Sequence, residues 1–183
     1  VTGMGYGTRI GPGFLRPGPG WGGSCFPKDT QAMVRIAADA GYDFGLLKGV
    51  VEVNDQQFDR VVDKIRRGAG GTLEGATVAI WGLTFKARTD DLRDSPAIEV
   101  ASRLLAAGAS VTAYDPTVEP GDESKAVPDG VRVVGDPLQA STDAAVLAVM
   151  TEWDQFRWVD LHRVAKAMTG DAVIDGRNLL NPT

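Results

Sequence analysis

From residue 77 onward, short apolar runs alternate with helical stretches, and this alternation restricts the fold more than any other feature of the chain. Thr77-Val78-Ala79-Ile80-Trp81 reads as a strand ending at Gly82, Pro96 to Ala107 as a helix ended by Gly108, and Ser110-Val111-Thr112-Ala113-Tyr114-Asp115 as a second strand. Strand, helix, strand in that order implies a parallel pair joined by a right-handed crossover. Further strands at Val131 to Val134, Ala144 to Val149 and Ala172 to Ile174, with a helix around Asp160 to Met168, extend the pair into a doubly wound α/β sheet.

The first 71 residues are of another kind. Between Gly3 and Gly22 stand eight glycines, with Pro12, Pro17 and Pro19 among them. That density argues against a helix or a central strand and predicts a long loop. Long loops in compact domains are functional or disordered, and the embedded Phe14 and Trp21 argue for order. From Pro27 a helix is expected, with Asp29 in its early turn, Ala32, Met33, Ile36, Ala37 and Ala40 at helical spacing, and Gly41 as its stop. A second helix spans about Leu46 to Arg67, its apolar positions Leu47, Val50, Val51, Phe58, Val61, Val62 and Ile65 forming one stripe. Such a helix serves as a spine between domains or as a dimer contact. The expected division is a helical region over 1–71 and a sheet domain over 72–183.

Charge and composition exclude several classes. The net charge is −5, with nine Lys/Arg against seven Asp/Glu in residues 1–70 and ten against seventeen in 71–183. No basic stripe or stacking aromatic series appears, so no nucleic-acid partner is expected. Nor is a membrane partner, because no apolar run approaches the roughly 20 residues of a span. One cysteine gives neither a disulfide framework nor a cysteine-based metal site, and no metal is expected. A free thiol without an export signal points to the cytoplasm. The chain opens Val1-Thr2-Gly3 and is read as part of a longer protein.

That cysteine, Cys25, sits in Gly22-Gly23-Ser24-Cys25-Phe26-Pro27-Lys28-Asp29. A thiol beside an ammonium at the start of a helix has its thiolate favoured by the nearby charge and by the helix dipole. The setting suits a nucleophile and leaves protease, redox sensor and dehydrogenase open. His162, the only histidine, lies on a helix of packing and surface residues and offers no evident partner. At the first strand–helix junction, where a dinucleotide-binding sheet carries Gly-x-Gly-x-x-Gly, the chain reads Gly82-Leu83-Thr84-Phe85-Lys86. The fingerprint is absent there, and Asp115, in the place of the ribose-binding acid, is read as a strand-end or turn residue. Lys86 is either a solvated lysine or a cation for a ligand at the carboxyl edge of the sheet. Asp94 or Ser95 would cap the helix at Pro96, a role compatible with anion binding by Lys86 or Arg93. Trp153, Phe156 and Trp158 read as a packing cluster, and Arg177 as a surface ion pair or a fork for a diphosphate.

Taken together, Arg9-Ile10-Gly11, Phe14-Leu15-Arg16-Pro17-Gly18, the Gly22–Asp29 segment, Gly82–Lys86, Thr89–Pro96, Tyr114-Asp115-Pro116 and Asp175-Gly176-Arg177-Asn178 resemble the UDP-glucose 6-dehydrogenase family in order and spacing. The Phe-Leu-x-x-Gly loop with Gly20-Trp21-Gly22-Gly23 resembles the UDP-glucose enzymes more than the GDP-mannose ones. The resemblance implies an N-terminal NAD-binding domain that this chain lacks, a central helical dimerisation region with the cysteine loop, and a C-terminal Rossmann-like domain for the UDP part of the substrate. It implies NAD as cofactor, a UDP-sugar as substrate and a homodimer. Cys25 would be the catalytic nucleophile, with Asp29 assisting water or protons. Arg9, Phe14, Leu15, Arg16, Pro17, Gly18, Gly22, Phe26, Phe85, Lys86 and Arg177 would contact substrate, Arg9 from across the dimer, while Lys28 and Arg93 would meet NAD. Trp21 stands where the family commonly has tyrosine or phenylalanine, and the family's oxyanion-stabilising lysine and asparagine would lie upstream of Val1. The alternatives are a dehydrogenase for GDP-mannose or a UDP-N-acetyl sugar, and a non-catalytic binding or dimerisation module.

Overall fold

A computed structural model describes residues 2–122 and 126–181. It opens with two single-turn helices, α1 (Thr2–Gly5) and α2 (Gly11–Phe14), followed by α3 (Phe26–Asp39) and α4 (Gly45–Gly68). The remainder alternates as β1 (Thr77–Trp81), α5 (Pro96–Ala106), β2 (Ser110–Tyr114), β3 (Val131–Val133), α6 (Pro137–Ser141), β4 (Val146–Val149), a 3-10 turn at Asp154–Trp158, α7 (Leu161–Ala167) and β5 (Ala172–Asp175). The five strands form one all-parallel sheet in the order β3-β2-β1-β4-β5, with Val78 opposite both Val111 and Val146. The expected doubly wound α/β fold is what the chain adopts.

Period-2 alternation sorts the strand residues between two cores. Val78, Ile80, Val146 and Ala148 face one side, where α4 and α5 cover them with Phe58, Val61, Ile65, Val100 and Leu104. Ala79, Trp81, Leu147 and Val149 face the other, against Ala140 of α6, Phe156 and Val164 of α7. Strands buried on both faces need continuous apolar runs, which explains why β1 and β4 lack polar alternation.

Helix α4 is two things in one element. Its C-terminal half buries Phe58, Val61, Val62 and Ile65, spaced one face apart. Its N-terminal half leaves Leu46, Val50 and Val53 at 79%, 44% and 55% exposed, and α3 buries no residue at all. The two halves are held to the sheet by Arg103 of α5, which donates to Asp55 and Asp59 of α4 and to Glu99. Burial works against the Arg103 charge, but the carboxylates of Glu99, Asp55 and Asp59 more than offset it and raise its pKa.

Two expectations need correcting. The glycine-rich stretch is not loop throughout, since α1 and α2 lie within it. Pro12 presets the helical φ in the first turn of α2, and a four-residue turn is too short to show periodicity. Nor do Trp153, Phe156 and Trp158 pack as one cluster. Phe156 is buried with its ring 5.3 Å from that of Trp81, but Trp158 is 85% exposed. At three residues per turn, positions two apart in a 3-10 helix point about 120° from each other, so Trp158 leaves the face that Phe156 buries. No described helix is long and apolar enough to cross a membrane.

Candidate functional site

The carboxyl ends of β1, β4 and β5 open into a cleft of about 440 Å³, closed on its far side by the glycine-rich segment. Its walls bring together Arg16, Pro17, Gly22, Phe26, Phe85, Lys86 and Arg177, seven of the expected substrate residues. Leu15 and Gly18 are adjacent in the chain without lining it, although Gly18 packs on the Arg177 guanidinium. Arg9 is exposed outside the cleft, and the side chain of Phe14 lies outside the described residues.

The cleft's frame is set by Asp115, one residue past β2 and 1% exposed. Its carboxylate accepts six hydrogen bonds, from the backbone N–H of Leu83, Thr84 and Thr117, the hydroxyls of Thr84 and Thr117, and Trp153 Nε1. The strand-end reading of this acid therefore holds, and the residue it braces is the loop that carries Phe85 and Lys86. Ser95, not Asp94, caps α5, its hydroxyl accepting from Ala97 N–H while donating to Leu83 O at 2.6 Å. Helix start and sheet-edge loop are thus one hydrogen-bonded unit.

Arg177 crosses the floor. It donates from Nε to Met150 O at 2.9 Å and from Nη2 to Phe85 O at 2.8 Å, tying together the segments that follow β1, β4 and β5. Burial lowers its pKa, and the nearby Glu152 carboxylate partly restores it. Glu152 Oε2 lies 3.2 Å from Arg177 Nε, but that N–H is directed at Met150 O, which leaves the carboxylate oxygen buried without an aligned donor. Lys86 stands over the Phe85 ring, its Nζ 5.1 Å from the centroid.

The glycine-rich segment reaches the sheet edge closely. A Cβ at Gly22 would overlap the Asp94 carbonyl oxygen, and Gly20, at φ 141°, has the Phe58 ring where a side chain would go. Only glycine fits such approaches. Trp21 is clasped by Asn54 of α4, which accepts from its N–H at 2.9 Å and donates to its carbonyl at 3.0 Å.

Cys25 does not itself line the cleft, but it follows the cleft-lining Gly22 by three residues and directly precedes the cleft-lining Phe26. It is exposed at the N-cap position of α3, and its Sγ has Ser24 Oγ at 3.8 Å. Lys28 donates to Asp29 at 2.5 Å, and that hydrogen bond raises the Lys28 pKa. In this arrangement Asp29 engages its neighbour rather than the sulfur. Arg93 forms a two-pronged pair with Asp91, from Nε at 2.9 Å and Nη2 at 2.8 Å. The hydrogen bonds from Arg93 hold the Asp91 carboxyl below the ordinary carboxylate value, and Ser24 adds to this.

Sequence reasoning missed Glu152 and Arg157, which also line the cleft. Arg157 is pinned by its own bond to Leu179 O at 2.5 Å. The signal for Glu152 was its place just after β4, at the edge where open sheets bind ligands, whereas Arg157 lies further on in the 3-10 turn and carried no such signal. Among the described residues, no group of three or more His, Cys, Asp or Glu is placed to hold a metal.

The fold and cleft define a doubly wound α/β module with a cation-lined cleft at the carboxyl edge of its sheet. Residues 79–182 match the UDP binding domain of the UDP-glucose/GDP-mannose dehydrogenase family, and residues 1–56 match that family's central domain. The chain belongs to the UDP-glucose/GDP-mannose dehydrogenase family. It is 43% identical over 179 residues to the UDP-glucose 6-dehydrogenase of Rhizobium meliloti, covering 98% of this chain and 40% of that protein. It is 38% identical to the UDP-glucose 6-dehydrogenase TuaD of Bacillus subtilis, covering 99% and 39%. Among solved structures, a UDP-glucose dehydrogenase from Pyrobaculum islandicum superposes with a TM-score of 0.81 at 35% identity, over 97% of this chain and 39% of that one. The chain thus spans about two fifths of the length of these relatives.

Proposed function

We propose that this chain is the thiol-bearing and UDP-binding portion of an NAD-dependent dehydrogenase that oxidises UDP-glucose at C6 to UDP-glucuronate. One observation carries the reading: the segment that bears the exposed Cys25 contributes Gly22 and Phe26 to a cleft lined by four cationic side chains, Arg16, Lys86, Arg157 and Arg177. Two of them place positive charge where a diphosphate would lie, Arg177 as a fixed charge in the floor and Lys86 as a free donor among the described residues. Arg177 is fixed by two carbonyls with its remaining edge against Gly18, and Lys86 is exposed beside it at the sheet edge. The names of the relatives support uridine and glucose as the remainder of the ligand.

The chemistry assigned to the chain is covalent. The Cys25 thiolate adds to the C6 aldehyde, a C–S bond forming while the carbonyl oxygen becomes an alkoxide. After oxidation at that carbon, water cleaves the C–S bond of the resulting thioester, releasing the carboxylate and returning the thiol. Asp29, one turn along α3, serves this stage by taking the proton of the attacking water once it parts from Lys28. NAD, when bound, supplies the hydride acceptor for the two oxidations of C6. Lys28 and Arg93, both exposed cations near the thiol, fit the anionic diphosphate of that cofactor. The relatives are longer than this chain, so the chain by itself is expected to bind UDP-sugar without turning it over. The exposed Leu46, Val50 and Val53 on α4 suit burial against a second copy, with 1–71 as the dimerising region and 72–183 as the UDP domain.

A thermal-shift panel tests the substrate assignment. UDP and UDP-glucose at about 100 times their Kd should stabilise the chain by about 2.7 kcal/mol, a rise of roughly 5–10 °C for a chain of this size. A larger shift with GDP-mannose or UDP-N-acetylglucosamine would move the assignment to those sugars. No shift with any nucleotide would remove the nucleotide-binding reading.

A further inference from the structure

We propose that Asn54 is a positioning residue for nucleotide binding: from α4 it holds the glycine-rich wall of the cleft at its working distance from the sheet edge, without touching the ligand itself. This inference rests on the cleft being the UDP site. Arg16, Pro17, Gly20, Trp21 and Gly22 line the cleft on one side, and Phe85, Lys86 and Arg177 line it on the other. Asn54 does not line it.

The wall is poorly held by its own backbone. Pro17 and Pro19 have no N–H to give, and glycine loses more conformational freedom on being fixed than any other residue. Among the described residues, the stretch from Arg16 to Gly22 makes only two hydrogen bonds, both at Trp21 and both to Asn54. The Trp21 N–H donates to Oδ1 at 2.9 Å, and Nδ2 donates to the Trp21 carbonyl at 3.0 Å. The next is at Gly23, whose N–H donates to Asp94 O at 3.2 Å. A carboxamide carries a donor and an acceptor on one planar group, so it pairs with the backbone of one residue as a neighbouring strand would.

The helix has no need of this residue. Asparagine ranks among the weaker helix formers, and position 54 lies in the interior of α4 with no cap to satisfy. The anchor is firm on its own side. Asp55 and Asp59 are bound by Arg103 of α5, and Phe58, one turn on from Asn54, is buried and meets Gly20 so closely that a Cβ there would lie 2.6 Å from the ring. Asn54 thus stands where α4 passes from its exposed half to the half packed on the sheet.

A wall seated only part of the time lowers affinity in proportion to that fraction. Without its two hydrogen bonds the wall should be in place about one-tenth of the time, which raises the Kd for UDP about tenfold. Calorimetric titration of the chain with UDP, alongside its melting temperature, tests this. Asn54→Ala and Asn54→Leu, the second close to asparagine in size and a better helix former, should each raise Kd about tenfold while the melting temperature falls by no more than about 4 °C. Val164→Ala serves as the control: it opens the core on the opposite face of the sheet, under α7, and should lower the melting temperature at least as far with Kd unchanged. Wild-type Kd in both Asn54 variants would overturn the proposal, as would an equal rise in Val164→Ala. Hydrogen exchange on the wild-type chain gives an independent check, since the Trp21 amide should be protected and its exchange at the rate of an unstructured amide would also overturn the proposal. Failure of the wild-type chain to bind UDP would instead remove the reading of the cleft on which the proposal rests.

Discussion

Asp115→Ala should lower the melting temperature of the chain by about 10 °C. The carboxylate is 1% exposed and accepts six hydrogen bonds, none of which alanine can replace. Stranding several buried donors costs about 1–3 kcal/mol each when water cannot reach them, and partial relaxation brings the sum to about 4 kcal/mol. A chain of this length loses roughly 2–4 °C per kcal/mol. Asp115→Asn should cost nearly as much, because one carboxylate oxygen becomes an NH₂ group facing other donors. The same variants should weaken nucleotide binding, since the loop they release carries Phe85 and Lys86. Differential scanning calorimetry checks the first effect; a shift below about 2 °C would show that Asp115 does not brace the site.

Arg177→Met should abolish measurable UDP binding by the chain, a loss of about 100-fold or more. Charge-assisted bonds to a diphosphate contribute about 1.5–3 kcal/mol, and methionine keeps the volume without the charge or the fork. The substitution also strands the Phe85 and Met150 carbonyls and leaves the buried Oε2 of the partly exposed Glu152 without its counter-charge. A stability loss of about 2–4 kcal/mol should accompany the loss of affinity. Titration calorimetry separates the two effects if performed well below the melting point, and Lys86→Met serves as the control: Lys86 is exposed, so its loss should weaken UDP binding with little change in stability. An Arg177→Met chain that binds UDP with its affinity intact would assign the diphosphate elsewhere.

The sheet was legible because its signals are local. An apolar run ended by Gly82 located β1, the apolar run Ala144 to Val149 located β4, and helical spacing located α4 and α5 within a residue or two of their ends. The single-turn helices α1 and α2 were not, because four residues are too few for a 3.6-residue period to show. Helix α6 was missed although Asp136-Pro137 carries an N-cap followed by proline, a start signal that its brevity obscured. For the site, the motif residues at strand ends converge as expected, and strand-end logic extended past β4 would have added Glu152. What the sequence could not show is pairing across loops. That Arg93 is bound by Asp91, that Asn54 clasps Trp21 and that Arg177 is anchored by two carbonyls are facts of tertiary geometry, set by residues up to 92 positions apart.

Whether a UDP-sugar occupies the cleft next to the Cys25 segment is decided by titrating the ¹⁵N-labelled chain with UDP-glucose and following backbone amide resonances. Saturable shifts are expected at Gly22, Cys25, Phe26, Phe85, Lys86 and Arg177, with the β3 edge around Val131 to Val133 unmoved. Shifts confined to the β3 edge or to the exposed half of α4, or none at millimolar ligand, would contradict that occupancy.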